Sequence, residues 1–260
     1  MRGRERGPAP ATWRAAWRTL GSEWGKAWSV RSPVLCLVGA ALLTVTTAAA
    51  LANDFVHGIA IGERAATETL PPGQAVGPAV LLGTTVFVAF AMLPVTAEYA
   101  TGSVRSTFLA QPRRRLVLAA KTTVVAGGGM LLGVVAGAAS VVAVRGVLGV
   151  HAAVAGTPGG LGLKAGALLA LDAVLVAGLA SVLRSPVGTL AVGVTITAAL
   201  LALPDRLNAW TPAGAALRLI GGDPGQYPAG HATAVALAVL VVWSASVYAF
   251  GAWLLEHRDA

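Results

Sequence analysis

The chain alternates between long apolar runs and short polar or basic segments. Six runs approach the roughly 20 residues that a helix needs to cross the core of a bilayer. They cover Val34 to Ala52, residues 75–97, Thr122 to Val144, residues 164–183, Val187 to Leu203 and residues 232–255. The runs lack the alternation of barrel strands, and a lipid-exposed backbone must bond internally, so each is expected to be helical. The pattern predicts an all-α polytopic membrane protein with six transmembrane helices.

Composition agrees with a membrane protein. Of the 260 residues, 56% are hydrophobic and only 12% are charged, whereas soluble domains have about a quarter of charged residues. The net charge of +8 raises the question of nucleic acid binding. The basic residues flank the apolar runs and form no groove interleaved with aromatic side chains, so no nucleic acid partner is expected. The expected surroundings are the lipid bilayer.

The distribution of Lys and Arg predicts the orientation. Seven of the 19 lie before the first run and five lie between the second and third runs, whereas the first loop carries one. The positive-inside rule therefore places both termini in the cytoplasm. We expect a cytoplasmic N-terminus over residues 1–33, a transmembrane domain over 34–255 and a cytoplasmic tail over 256–260.

The first run has a second interpretation. It ends in Ala50-Leu51-Ala52, which a signal peptidase could cleave, leaving five spans. An uncleaved anchor is favoured, because 33 residues precede the run and the run is long for a signal-peptide core.

An aromatic stripe precedes the first run. Its members are Trp13, Trp17, Leu20, Trp24 and Trp28. Their spacings of four, three, four and four residues put them on one face of a helix. The cations of this segment lie off the stripe, so the pattern predicts an amphipathic helix in the cytoplasmic interface, with indoles at headgroup depth. A plain membrane anchor and an additional mechanical role both stay open.

The loop between the second and third runs, residues 98–121, is basic and bounded by helix breakers. Gly102 permits a tight bend, and Pro112 disfavours continuation of a helix by removing a donor and restricting Gln111. The residues between them, 103–110, can form about two helical turns. Taken alone, the arginines of this loop are as compatible with a topology signal as with a binding surface.

Two features inside the runs are candidates for function. Asp172 is the one acid well inside a run; such carboxylates are costly and mark proton relays or contacts to cationic substrates. A structural hydrogen bond to a neighbouring helix is favoured, because Asp172 is isolated. Gly129, Gly133 and Gly137 allow the close approach of another helix, either in a dimer or, as we favour, within the chain.

Sequence motifs give no sign of catalysis. The phosphate-binding string G-x-x-x-x-G-K-[ST] does not occur, so ATP hydrolysis is not expected of this chain. The four histidines lie in loops or at the ends of runs, and H-E-x-x-H is absent. The lone Cys36 provides neither a disulfide nor a cysteine metal site. No catalytic, cofactor or metal residue is expected, and the chain is not expected to be an enzyme.

Four segments together resemble the permease subunit of a type-2 ATP-binding-cassette (ABC) exporter of the six-span bacterial kind. They read TLGSEWGKAWSVRSP before the first run, EYATGSVRSTFLAQPRRRLVLAAK in the basic loop, LRSP after the fourth run and HRDA at the end. The resemblance implies that the loop over 98–121 forms a coupling helix, which docks on a separate ATPase subunit. It also implies that the tryptophan-rich segment is a connecting helix beside it.

The resemblance assigns residues and partners. The positions that match the family's coupling pattern are Glu98, Gly102, Arg105, Pro112, Arg113 and Lys121. Among them, Arg105 and Arg113 are expected to meet acidic or backbone acceptors on the ATPase. The implied partners are two copies of that subunit, which binds ATP and magnesium, and a second copy of the permease or a sister permease.

The resemblance also implies a bacterial plasma membrane location and a cargo among drugs, lipids, peptides and ions. The apolar runs with few charges fit a hydrophobic or amphipathic cargo best. In such permeases the outer loop before the last span often forms re-entrant helices, and TPAGAALRLI, residues 211–220, could form such a short helix. An interfacial loop with Trp210 at headgroup level is the open alternative. Two alternatives from other classes are a proton-coupled secondary transporter that uses Asp172 and a non-transporting membrane scaffold.

Overall fold

The structure, a computed structural model, describes residues 12–29, 31–111, 113–197, 203–221 and 233–257. Over these ranges it is helical, with one short 3-10 turn at Gly149–His151 and one isolated bridge between Leu70 and Ala152. The α-helices are α1 (Thr12–Ser29), α2 (Arg31–Ala60), α3 (Pro72–Thr101), α4 (Val104–Ala110), α5 (Arg114–Leu148), α6 (Pro158–Leu183), α7 (Pro186–Thr197), α8 (Asp205–Asn208), α9 (Pro212–Gly221) and α10 (Thr233–His257).

Among the described helices, α2, α3, α5, α6 and α10 are long and apolar enough to cross a membrane. The all-α architecture expected from the sequence is thereby confirmed. The fifth predicted run, residues 187–203, is different, because α7 has only 12 residues. At 1.5 Å per residue α7 spans about 18 Å, less than the roughly 30 Å of a bilayer core. Residues 198–202 lie outside the described ranges, so six continuous spans stay a prediction.

The short helices α7 to α9 connect the two ends of the bundle. We call the end that holds the α3–α4–α5 connection the charged end. α7 begins there, next to Arg184, whose guanidinium carbon lies 5.2 Å from the ring centroid of Tyr99. α9 ends at the opposite end, where the Ile220 carbonyl lies against Gly73. The predicted helix over residues 211–220 is confirmed as α9, which is buried almost throughout.

The most extensive contact between two described helices is that of α5 with α6. The stripe of Gly129, Gly133 and Gly137 faces α6, and a Cβ atom on Gly133 would lie 2.5 Å from the carbonyl oxygen of Ala165. A Cβ atom on Gly137 would lie 3.1 Å from Cα of Gly162. Real Cβ atoms do not approach a backbone as closely as the first of these distances, so this pairing requires glycine. Packing of the stripe within the chain is confirmed.

Two apolar clusters fill the bundle and follow each other along its axis. Leu81, Leu168 and Leu240 belong to the cluster nearer the opposite end. Phe87 and Leu175 belong to the cluster nearer the charged end. The helices α3 and α6 contribute buried side chains to both clusters and are the central helices of the bundle.

Candidate functional site

The short helix α4 joins the long helices α3 and α5 at the charged end. α3 ends because Gly102 adopts a left-handed conformation, with φ of 72°, which costs glycine little. α4 ends at Ala110, and the next residue, Gln111, has an extended backbone, with φ of −135°, as expected for a residue before proline. The predicted two-turn helix is confirmed. Pro112, the predicted breaker, lies outside the described residues.

The helix α4 has an inner and an outer face. Val104 is buried, and Phe108 lies under the guanidinium of Arg114, 5.2 Å from the ring centroid to the guanidinium carbon. Arg105 is exposed, and Leu109 is 86% exposed. Residues four apart share one face of a helix. The outer face therefore presents a cation beside a large apolar side chain.

The three adjacent arginines after α4 have different surroundings. Arg114 donates from Nη1 to the carbonyl oxygen of Leu255 at 2.9 Å. Arg115 forms an ion pair with Glu256, so both residues attach α5 to the end of α10. The side chain of Arg113 is exposed, as is that of Arg105, and neither forms a hydrogen bond or ion pair within the described part of the chain. These are the two arginines expected from the sequence to meet a partner.

Four charged side chains from α1, α3 and α5 form a network next to α4. Lys121 Nζ lies 2.7 Å from Glu23 Oε2 and 2.8 Å from Glu98 Oε1. Lys26 Nζ lies 2.8 Å from Glu23 Oε1 and 3.2 Å from Glu98 Oε1. The side chains of Lys121 and Glu23 are only 5% exposed, whereas that of Lys26 is 53% exposed. We call these four residues the charged network; it joins three helices and balances two cations with two carboxylates.

The electrostatics of the network favour its charged form. Burial by itself raises the pKa of the Glu23 carboxyl, but the hydrogen bonds and charges of Lys121 and Lys26 outweigh burial and hold that pKa below its usual value. Burial by itself lowers the pKa of Lys26, and its hydrogen bonds and charge interactions with Glu23 and Glu98 raise it instead. Glu23 and Lys26 are therefore both ionised at neutral pH.

The first helix, α1, directs its polar side toward α4 and the charged network. Besides Glu23, Thr19 lies on this side, where its hydroxyl oxygen accepts a hydrogen bond from Gln111 Nε2 at 3.3 Å. Trp17 and Trp24 lie on the other side and are 66% and 53% exposed. This orientation suits an interfacial helix, because the indoles point away from the bundle.

The other three members of the aromatic stripe are Leu20, Trp13 and Trp28. Leu20 is half-buried, and the side chains of Trp13 and Trp28 lie outside what the structure describes. The predicted helix is therefore present as α1, whereas its position in a membrane interface stays a prediction.

Two open grooves lie between α1 and α4. A groove of about 420 Å³ includes Lys26, Glu98 and Ser106 in its lining. A groove of about 510 Å³ includes Arg18 and Gln111. Both could receive side chains of a partner that contacts α4.

Sequence reasoning missed Glu23 as a member of the charged network. The resemblance places Lys121 and Glu98 in the coupling pattern, and the structure shows that these two side chains also pair with each other. Glu23 could have been found, because it is the one acid in α1 and lies off the aromatic stripe, three residues before Lys26.

Asp172 lies away from the charged end, in the middle of α6. It is 7% exposed, and its Oδ2 atom is buried without a hydrogen-bond partner among the described residues. The hydrogen bond to a neighbouring helix that we favoured from the sequence is therefore not formed by this oxygen.

The fold defines an all-helical protein with several helices suited to a membrane. No protein-family model matches the chain, and a search of curated proteins finds no match.

Proposed function

We propose that this chain is the permease subunit of an ATP-driven exporter of the type-2 ABC kind, and that it couples to a separate ATPase subunit through α4. The observation that carries the proposal is the outer face of α4. Arg105 and Leu109 project from a short helix, and the neighbouring charged network fixes the helices around it. The four sequence segments that resemble such permeases include α4 and much of α1.

The outer face of α4 has the chemistry of a docking surface. Burial of a leucine side chain contributes about 1.5–3 kcal/mol, and Leu109 is 86% exposed. An arginine binds a carboxylate through two parallel hydrogen bonds, which suits Arg105 and Arg113. The partner surface is therefore expected to combine an apolar pocket with acidic side chains, and the grooves beside α4 supply further contact area.

The charged network provides a route for transmission. A force on α4 acts directly on α3 and α5, because α4 is their connection. Lys121 links α5 to Glu98 of α3 and to Glu23 of α1. Closure of the ATPase subunits is thus expected to shift these three helices together and to open a path through the bundle.

The other parts of the proposal follow from the same assignment. ATP and magnesium belong to the ATPase partner, and a second permease copy or a sister permease completes the path. The charged end faces the cytoplasm of a bacterial cell, since the basic segments before α2 and between α3 and α5 lie there. The apolar bundle suits a hydrophobic or amphipathic cargo.

The test is purification of the tagged chain from its native membranes in mild detergent, followed by mass spectrometry and an assay of MgATP hydrolysis. We expect a stoichiometric subunit that carries a G-x-x-x-x-G-K-[ST] loop, together with ATPase activity in the purified fraction. Arg105→Glu and Arg113→Glu should each remove the subunit and the activity, because both reverse a charge on the proposed docking surface.

Arg64→Glu is the matched control. Arg64 is an exposed arginine at the opposite end. It pairs with Glu68, with both side chains 42% exposed, and its guanidinium carbon lies 4.8 Å from the ring centroid of Phe55; an exposed ion pair and an exposed cation–π contact each contribute at most about 1 kcal/mol. This variant should retain the subunit. Retention of the subunit by Arg105→Glu and Arg113→Glu, or purification of the wild-type chain alone, would contradict the proposal.

A further inference from the structure

Four polar side chains meet in the middle of the bundle. Thr84 of α3, Asp172 of α6, Thr197 of α7 and Ser244 of α10 line one cavity of about 20 Å³. All four are buried, with exposures of 2%, 7%, 4% and 2%. We call them the polar layer.

The polar layer separates the two apolar clusters. On α3, Thr84 lies between Leu81 of one cluster and Phe87 of the other. On α6, Asp172 lies between Leu168 and Leu175, which again belong to different clusters. The polar side chains thus occupy one depth in an otherwise apolar interior.

Among the described residues, no partner balances the negative charge of the carboxylate in this layer. Oδ2 of Asp172 has no hydrogen-bond partner, and Asp172 has no ion-pair partner within the described part of the chain. An uncompensated charge at this depth is strongly unfavourable. A ligand that brings positive charge or a proton to Asp172 removes that cost.

The other members of the layer offer oxygen atoms. The hydroxyl of Thr197 donates to the carbonyl oxygen of Gly193 at 2.9 Å, and that of Thr84 donates to the carbonyl oxygen of Leu81. A hydroxyl has one proton and two lone pairs. Because their protons are engaged, these oxygens can act only as acceptors toward the cavity. A carboxylate with hydroxyl oxygens is the ligand set that hard cations prefer.

Two short helices contribute residues to the cavity of the polar layer. Thr197 is the last described residue of α7, and Pro212, the first residue of α9, lines the same cavity. Short helices that meet at mid-depth are where membrane transporters coordinate small ions. Here they meet beside Asp172, the one buried carboxylate among the described residues that has an oxygen without a hydrogen-bond partner.

We propose that Asp172, with the hydroxyl oxygens of Thr84, Thr197 and Ser244, binds one dehydrated sodium ion. A cavity of about 20 Å³ has room for one water-sized particle, which needs about 10–15 Å³. A single carboxylate balances one positive charge, whereas a divalent ion would leave a net charge buried in the bundle. The inference does not depend on the proposed coupling to an ATPase.

The test uses the purified full chain in a sodium-free choline buffer. Equilibrium binding of radioactive sodium should give one ion per chain. Thermal unfolding at constant ionic strength should show a saturable rise in Tm of about 2–4 °C in sodium relative to choline. Asp172→Asn should abolish both effects and is expected to fold, since it removes a charge without changing the size of the side chain.

Two further variants control the interpretation. Asp54→Asn makes the same chemical change at an exposed acid of α2 and should retain sodium binding. Ser244→Ala keeps the carboxylate but removes one oxygen, and should lower sodium affinity by about tenfold or more.

Sodium binding that persists in Asp172→Asn, or an affinity unchanged in Ser244→Ala, would overturn the assigned ligands. Equal Tm values in sodium, potassium and choline, with stability that follows pH alone, would identify a proton as the occupant and overturn the sodium proposal.

Discussion

At the scale of single residues, Lys121 is the centre of the charged network. It is buried and contacts both carboxylates, whereas Lys26 contacts the same two carboxylates from a half-exposed position. Loss of a buried cation leaves buried carboxylates undercompensated, while loss of an exposed one is largely screened by water. The two lysines therefore share partners and differ mainly in burial.

Lys121→Met should destabilise the protein by about 3–5 kcal/mol, because it breaks a buried ion pair and leaves Glu23 buried. Lys26→Met is the matched control, and its cost should be at most about 1 kcal/mol. Thermal or denaturant unfolding of both variants in the same detergent measures the difference. Similar losses in the two variants would show that burial does not govern the strength of this network.

The charged network illustrates what the sequence could predict. The bend at Gly102 and the short α4 follow from neighbouring residues, so they were predicted correctly. The pairing of Glu23 with Lys121 joins positions 98 residues apart, and no local pattern specifies such a contact. The positive-inside rule already explains the basic residues near the runs. The sequence therefore provides no reason to expect a partner of Lys121 within the chain.

At the scale of elements, the contact of α5 with α6 depends on backbone proximity. In lipid, helices gain little from hydrophobic burial against each other, so close van der Waals packing at small residues drives their association. Gly133 lies at this contact, and a Cβ atom added to it would lie 2.5 Å from the carbonyl oxygen of Ala165. A Cβ atom added to Gly127, on the same helix, would meet no atom within 4 Å.

Gly133→Ala should destabilise the protein by about 1–3 kcal/mol, because the new methyl group overlaps the backbone of α6. Gly127→Ala should instead be neutral or stabilise by up to about 1 kcal/mol, since alanine favours the helix and meets no neighbour. Unfolding temperatures of the two variants in one detergent test the contrast. A Gly133→Ala variant as stable as Gly127→Ala would contradict the close packing of these helices.

Hydropathy predicted the long helices, whereas the fifth run is described only in part. The run over residues 187–203 is apolar throughout, so it reads as one span, and the structure describes α7 over Pro186–Thr197. The arrangement that follows this run depends on tertiary contacts. α9 is buried between α3 and α10, and its burial depends on side chains far away in the sequence. The helix itself was predictable, because Pro212 is a good first residue for a helix.

At the scale of the whole molecule, α7 to α9 decide the topology. The helices α2, α3, α5 and α6 take the chain across the bundle four times and return it to the charged end. The end of α10 also lies at the charged end, where Glu256 pairs with Arg115. The chain can reach the start of α10 only if the region of α7 to α9 makes a further crossing, in short pieces.

Labelling of single cysteines tests this topology. Cys36, the only cysteine, is replaced by alanine, and Ser103→Cys, His257→Cys and Ala66→Cys are introduced singly at exposed positions. A membrane-impermeant maleimide, applied to inside-out and right-side-out vesicles, should label Ser103→Cys and His257→Cys from one side and Ala66→Cys from the other. Labelling after detergent solubilisation confirms that each cysteine is reactive.

If α7 to α9 did not carry the chain across, α10 would be the fifth crossing, and the cysteines at 103 and 257 would react from opposite sides. That result would contradict the broken crossing, and it would remove the mid-depth meeting of α7 and α9 on which the proposed sodium site depends.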